Sequence, residues 1–275
     1  MFDPKTKKYP YTENTDGHYI KVKKDNGLVF DKDYPYINNS KSFRFKRWWF
    51  RLFIYTLVIL VSNIRLGLRV KGKKNLRKHK DIIKNGVVSC CNHVHYWDYL
   101  GICHGIRPYK PRFLAWAKNI RGGLSKQMIL MGGVPIPEDD LRGQVAFVKA
   151  IGNHLNSGGW LHIYPEGSMW EYYQPIRPFK RGTSVFACKY NKPVLPMAYS
   201  YRRPNWIRRV IFRQIACFTL NIGEPIFKNN ALPKNEQELD LTTRAHREVC
   251  KLAGIDPDKN LYSPIYNDSK KIEYY

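Results

Sequence analysis

At 275 residues the chain can bury one full core with extensions, and its 43% hydrophobic and 14% aromatic content excludes a disordered polymer. Forty-seven Lys and Arg against 22 Asp and Glu give a formal charge of +25, which narrows the partners to anions: nucleic acid, anionic lipid or phosphate-bearing substrates. The six cysteines form no C-x-x-C pair and lie mostly in apolar runs, which speaks for reduced, buried thiols over a disulfide framework.

Residues 1–40 are rich in Lys, Tyr, Asn and Asp without helical periodicity. They read as a polar N-terminal arm, extended or loosely hairpinned, with nothing like a cleaved signal peptide. Residues 41–66 form a helical segment in which the basic, tryptophan-rich stretch from Lys41 to Arg51 runs into the apolar stretch from Leu52 to Val61. A spanning helix needs roughly 20 apolar residues, and extending this stretch crosses Arg51, Asn63 and Arg65. The segment therefore reads as a helix lying in an anionic membrane interface, on the cytoplasmic face; a spanning helix and a buried core helix are the alternatives.

The body of the chain, 67–255, alternates strand and helix signals. Strands are expected over 68–70, 87–91, 112–117, 134–136, 160–164 and 194–199, with a later one within 210–222. Helices are expected over 99–105, 124–131, 141–156, 183–190 and 236–252. The pattern implies an α/β domain, a mixed sheet covered by helices. The tail, 256–275, reads as loosely ordered.

Two motifs carry chemistry. Asn92-His93-Val94-His95-Tyr96-Trp97-Asp98 sets His93 five positions before Asp98, between an apolar strand and a helix start. A carboxylate on one imidazole nitrogen fixes the ring and leaves the other nitrogen to take a proton from a hydroxyl. His95 is the rival base, three residues from Asp98. Tyr164-Pro165-Glu166-Gly167-Ser168 follows the strand over 160–164, so both motifs fall at the ends of strands, where α/β sheets place ligands. Alone, the first motif also fits a loop histidine with an aspartate capping a helix, and the second an ordinary turn.

In their order and spacing the motifs resemble those of the glycerolipid acyltransferases, whose best-known members acylate lysophosphatidic acid. Asn92, His93 and Asp98 match the family's Asn-His-x4-Asp block; Tyr164 to Ser168 match part of Phe-Pro-Glu-Gly-Thr-Arg-Ser. Lys192 to Met197 look like its Val-Pro-x-x-Pro block, and Phe179-Lys180-Arg181-Gly182 resembles its basic segment. The likeness spans about 65–225. It implies transfer of an acyl group from acyl-CoA or acyl carrier protein to a lysophospholipid, chiefly 1-acylglycerol-3-phosphate, without a cofactor. His93 would be the base and Asp98 its orienting partner. Asn92, Lys118, Pro165, Glu166, Gly167, Ser168, Lys180 and Arg181 would contact substrate, with Glu166 holding an acceptor hydroxyl or bracing the turn.

The sequence departs from the family where an arginine binds the acceptor phosphate: Met169 stands there, and the Gly-x5-Arg block is represented by Gly133 to Glu138 with no arginine at the expected place. Met cannot replace a guanidinium fork, so either Arg142, Arg177, Lys180 or Arg181 takes over or the acceptor is different. A hydrolase using the same pair with water remains open. A basic membrane- or nucleic-acid-binding protein without catalysis is the alternative from another class. Basic and aromatic residues interleave over 43–49 and 199–206, but no nucleic-acid-binding motif is present and no nucleic acid is expected. A metal at Cys90, Cys91, His93, His95 and Asp98 is disfavoured, because neighbouring strand residues point to opposite faces.

Overall fold

The computed structural model describes residues 2–4, 25–138 and 140–265. Helix α1 (Lys41–Leu60) runs into a π-helical turn (Val61–Arg65) and is followed by β1 (Arg69–Lys71), α2 (Lys73–Lys78), α3 (Lys80–Lys84) and β2 (Val87–Cys90). Next come α4 (Asp98–Gly105), β3 (Arg112–Trp116), α5 (Ala117–Arg121), α6 (Ser125–Met131), β4 (Gly133–Ile136), α7 (Leu141–Asn156) and β5 (Trp160–Ile163). The chain continues with α8 (Gly182–Lys189), β6 (Val194–Arg202), α9 (Trp206–Val210), β7 (Cys217–Ile222) and α10 (Lys234–Ala253).

The seven strands form one mixed sheet in the order β1-β7-β6-β2-β5-β3-β4. Strands β6, β2, β5, β3 and β4 are parallel; β7 runs antiparallel to β6 and parallel to β1. Side chains alternate along each strand and so feed two cores. Val88, Cys90, Leu161, Ile163, Val194 and Ala198 pack under α7, α8 and α10 through Phe147, Ile151, Phe186, Leu241 and Val249. Val87, Cys91, Trp160, Leu195, Met197 and Tyr199 face α1 and α4 through Val58, Leu100, Ile102 and Cys103. Because both faces are covered, the inner strands β2 and β5 are buried along their whole length, and their polar Ser89 and His162 pair with each other. Cys90 and Cys91 thus point into different cores, and among the described residues no group of three or more His, Cys, Asp or Glu is placed to hold a metal.

The expected strands and five longer helices are present, with ends shifted by a few residues. The short helices α2, α3, α5 and α9 carry no sequence signal of their own; five or six residues are too few to show a helical period. The polar arm falls partly outside the described residues, since 5–24 are not described. Its described part joins the core: Phe30 and Tyr36 are buried beside Phe147, and the Tyr36 hydroxyl donates to the Phe30 carbonyl at 2.7 Å. Likewise 256–265 is not loose. Asn260 donates to the Ile176 carbonyl at 2.8 Å, and Phe179 N–H donates to the Pro264 carbonyl at 3.0 Å, lacing this segment to the loop before α8; the rest of the tail lies outside the described residues.

One side of α1 rests on α4 and α6. Three arginines fix it to the body: Arg47 Nε donates to the Leu130 carbonyl at 3.2 Å, Arg51 Nη2 to the Met131 carbonyl at 3.3 Å, and Arg208 Nη2 to the Asn63 carbonyl at 2.9 Å. The other side exposes Phe45, Trp48, Trp49, Leu52, Phe53, Leu57 and Leu60. By length and composition Lys41–Arg65 is apolar enough to cross a membrane.

Candidate active site

Parallel β2 and β5 are adjacent, and their carboxyl ends release the two motifs side by side. His93 lies three residues beyond Cys90, and Glu166 three beyond Ile163. His93 Nδ1 sits 2.7 Å from Asp98 Oδ2, with the imidazole side chain 24% exposed and the carboxylate fully buried. Asp98 opens α4, where its charge also meets the positive helix end. Its Oδ2 accepts from Val94 N–H at 3.0 Å and His95 N–H at 3.3 Å, while Oδ1 accepts from the Tyr164 hydroxyl at 2.9 Å. Burial alone would raise the Asp98 carboxyl, but the His93 charge, the His93 bond and the Tyr164 and Val94 donors outweigh it and hold the pKa below its ordinary value. With Nδ1–H donating to this carboxylate, Nε2 is the basic nitrogen.

The ring is also held from its face. Tyr164 stacks on His93 at 4.0 Å between centroids and 14° between planes. Burial pushes the Tyr164 hydroxyl well above its usual pKa, so it stays a neutral donor. Beneath it, Trp160 Nε1–H donates to Ser89 Oγ at 2.7 Å, and Ser89 Oγ lies 2.8 Å from His162 Nδ1. Burial drives His162 down to about 3, so it is neutral. The other candidate base, His95, is buried; its Nδ1 accepts from Trp97 N–H at 3.0 Å, and burial lowers its pKa. It meets Asp98 through its backbone N–H, and its Nε2 lies 3.9 Å from Glu171; the imidazole bonded to the Asp98 carboxylate is that of His93.

Glu166 is buried and occupied from three directions. It accepts from His93 N–H at 3.1 Å, from Arg177 N–H at 3.0 Å and from Arg177 Nη2 at 2.9 Å. Arg177, also buried, donates through Nη1 to Ser168 Oγ at 2.8 Å and through Nη2 to the Ser168 carbonyl, and lies 4.4 Å over the Trp170 ring. Of the two roles considered for Glu166, these contacts describe the brace: it ties the Pro165–Ser168 turn to His93. Ser168 belongs to the same internal network rather than to an open surface. Asn92 is similarly turned inward, its amide donating to the Tyr199 carbonyl at 3.1 Å and accepting from Tyr199 N–H at 2.8 Å. That side chain staples the end of β2 to β6, and its amide oxygen also accepts from the Cys91 thiol at 3.4 Å.

Gly167 has φ +79, and a Cβ there would meet Lys180 Cε at 3.0 Å and Nζ at 3.2 Å. Glycine therefore lets Lys180 fold over the turn. Lys180 and Arg181 are exposed at the start of α8, and Lys180 N–H donates to the Pro165 carbonyl at 2.9 Å. Lys118 is exposed on α5, just past the carboxyl end of β3, its ammonium 4.9 Å over the Trp116 ring. Arg142 is exposed at the first turn of α7.

Sequence reasoning missed the Tyr164 hydroxyl and the structural use of Arg177 and Tyr199. Tyr199 donates from its hydroxyl to the Asp98 carbonyl at 2.6 Å across Gly101, where a Cβ would lie 2.2 Å from that hydroxyl oxygen. One signal was present for the first: tyrosine at 164 where the related block carries phenylalanine.

A buried carboxylate, a partly exposed imidazole bonded to it and a braced turn thus meet at one end of the sheet. The acyltransferase family model matches residues 67–200, a segment that holds both motifs and the residues that brace them. Among solved structures, a similar chain is the 1-acyl-sn-glycerophosphate (LPA) acyltransferase PlsC from Thermotoga maritima: it is 17% identical, with 79% of this chain and 85% of that chain covered at a TM-score of 0.49. No curated protein sequence matches the chain.

Proposed function

We propose that the protein moves a fatty acyl group from an acyl thioester, acyl-CoA or acyl carrier protein, to the free hydroxyl of a lysophospholipid, with 1-acylglycerol-3-phosphate as acceptor and phosphatidic acid as product. The observation that carries this reading is the 2.7 Å contact between His93 Nδ1 and the buried Asp98 carboxylate, with the ring partly open to solvent. His93 Nε2 takes the proton of the acceptor hydroxyl as its oxygen attacks the thioester carbonyl. Collapse of the tetrahedral adduct breaks the C–S bond, and the imidazolium returns the proton to the departing thiolate. Asp98 stabilises the imidazolium formed between these steps.

The acceptor phosphate is assigned to Lys180 with Arg181. Arg177 is engaged by Glu166 and Ser168, and Lys180 crosses the Gly167 turn beside the His93 loop. The side of α1 turned away from the body gives the protein an apolar, tryptophan-rich face with a basic approach, suited to a helix lying in the interface. A lysophospholipid acceptor resides there, so reaction at the surface avoids extracting its acyl chain into water.

A labelled acyl thioester supplied with vesicles and lysophosphatidic acid, other lysolipids, or no acceptor tests the proposal. Transfer to lysophosphatidic acid is expected, to vanish in His93→Ala, and to show a raised KM with little change in kcat in Lys180→Met. Transfer confined to a lysolipid without a phosphomonoester would move the assignment away from phosphatidic acid synthesis. Free fatty acid released without any acceptor would sink acyl transfer in favour of hydrolysis.

A further inference from the structure

We infer that the excursion over 203–215 is a second membrane-contact element, taking anionic lipid headgroups at its rim and acyl chains at its centre. With α1 it would turn the active-site end of the sheet toward the bilayer. The inference rests on α1 lying at the interface, as proposed above, and adds an independent contact to it.

On α9 and the residue after it, Trp206 and Val210 stand four apart, as do Ile207 and Ile211, which puts each pair on one helix side. All four are 50–65% exposed, and Phe212 and Ile215 beside them are 43% and 44% exposed. Apolar side chains scattered singly are ordinary on a protein surface, but six gathered within ten residues are a contact surface. Arg203, Arg209 and Arg213 are exposed around them, and 202–216 contains neither Asp nor Glu. An apolar centre with an arginine rim and no acid matches the headgroup boundary of an anionic bilayer, where guanidinium groups reach phosphates while their neighbours enter the acyl region.

Arg208 shows how the element is set. It turns inward, donating through Nη2 to the Asn63 carbonyl at 2.9 Å and through Nη1 to the Ile64 carbonyl at 3.1 Å. Gln214 Nε2 donates to the Arg65 carbonyl at 3.0 Å and also to the Ile64 carbonyl. The orphan carbonyls that end α1 and its π-helical turn are thus satisfied by this excursion. The excursion is therefore tied to the end of α1, where Leu60 and Ile64 are 53% and 41% exposed. The excursion leaves the carboxyl end of β6, and parallel β2 delivers His93 at that same end of the sheet.

The test measures partitioning of the full-length protein onto phosphatidylcholine vesicles with and without phosphatidylglycerol. Ile207→Asp with Ile211→Asp is compared with Phe53→Asp with Leu57→Asp on α1; all four side chains are exposed, and circular dichroism checks the fold. The 207/211 pair is expected to weaken partitioning by about tenfold or more. Arg203→Gln and Arg209→Gln should each cost about fivefold on anionic vesicles and nothing on neutral ones. Brominated lipid should quench a share of the tryptophan emission that Trp206→Phe removes.

Wild-type partitioning by the 207/211 variant, alongside release of the α1 variant, would overturn this inference and leave the interfacial helix standing. If neither pair changes binding, the interfacial reading falls and takes this one with it. If the 207/211 substitutions instead abolish self-association in sedimentation while vesicle binding is unchanged, the surface joins two copies of the chain and the lipid assignment is wrong.

Discussion

Replacing Asp98 by asparagine and by alanine should separate the two contributions of that carboxylate, because of how its oxygens are used. Oδ2 receives three donors, His93 Nδ1–H and the Val94 and His95 N–H groups, whereas Oδ1 receives only the Tyr164 hydroxyl. In Asp98→Asn the amide oxygen must therefore take the Oδ2 place. Its NH2 then faces a hydroxyl that can rotate and accept. This variant keeps the ring oriented and the tautomer unchanged while losing the charge. A hydrogen bond to a charged group contributes about 1.5–3 kcal/mol against about 0.5–1.5 for a neutral one. The loss of about 1–2 kcal/mol corresponds to a rate about 5–30-fold lower. Asp98→Ala also removes the orientation and leaves four donors without an acceptor at a fully buried position. That variant should lose roughly a thousandfold or more in rate and several kcal/mol in stability, at about 1–3 kcal/mol for each unsatisfied group. Acyl transfer from a labelled thioester near neutral pH, with urea unfolding of the same preparations, reads both. If Asp98→Asn were as slow as Asp98→Ala, yet as stable as wild type, this division between charge and orientation would be refuted.

Tyr164→Phe keeps the stack on His93 and removes one of four donors to Asp98, so stability should fall by about 1–2 kcal/mol. The rate should fall less than in Asp98→Asn; an equal or larger loss would show that the hydroxyl does more than support the carboxylate. Glu166→Gln leaves the buried Arg177 without its anion, and unfolding free energy should drop by about 3–5 kcal/mol; a change of less than about 1 kcal/mol would show that the pair contributes no more than a surface one. Buried His162 and His246 have pKa values pushed down to about 3 and about 4 by burial, from an ordinary 6.5. The unfolded chain then binds protons that the folded one refuses, so stability is full above about 6.5 and is lost as pH falls toward those values, by about 1.4 kcal/mol per pH unit for each histidine. Stability that stays flat from pH 6.5 to 4 in denaturant titrations would contradict their burial as neutral groups.

The sequence by itself determined the alternation of strands and helices, because buried apolar runs and glycine-marked turns are local signals. The juxtaposition of His93 and Asp98 was equally accessible, since five residues across a strand-to-helix junction suffice to bring them together. The same locality marked Pro165 to Gly167 as a tight turn. Only the tertiary structure decided which polar groups the motifs face. Tyr164 reaches Asp98 across 66 residues and Asn92 meets Tyr199 across 107, because β5 and β6 flank β2 in the sheet. That order cannot be read from the strands one at a time. Asn92 and Ser168 look like substrate contacts in sequence, yet burial obliges their polar atoms to find partners inside the protein. Phe30, Tyr36 and Asn260 sit in stretches whose composition suggests loose chain; a few anchoring side chains are enough to fix such segments, and no average over composition detects them. The tie from Arg208 to the end of α1 spans 144 and 145 residues to its two carbonyls. It exists because helix-end carbonyls need donors, and only the fold decides which arginine supplies them.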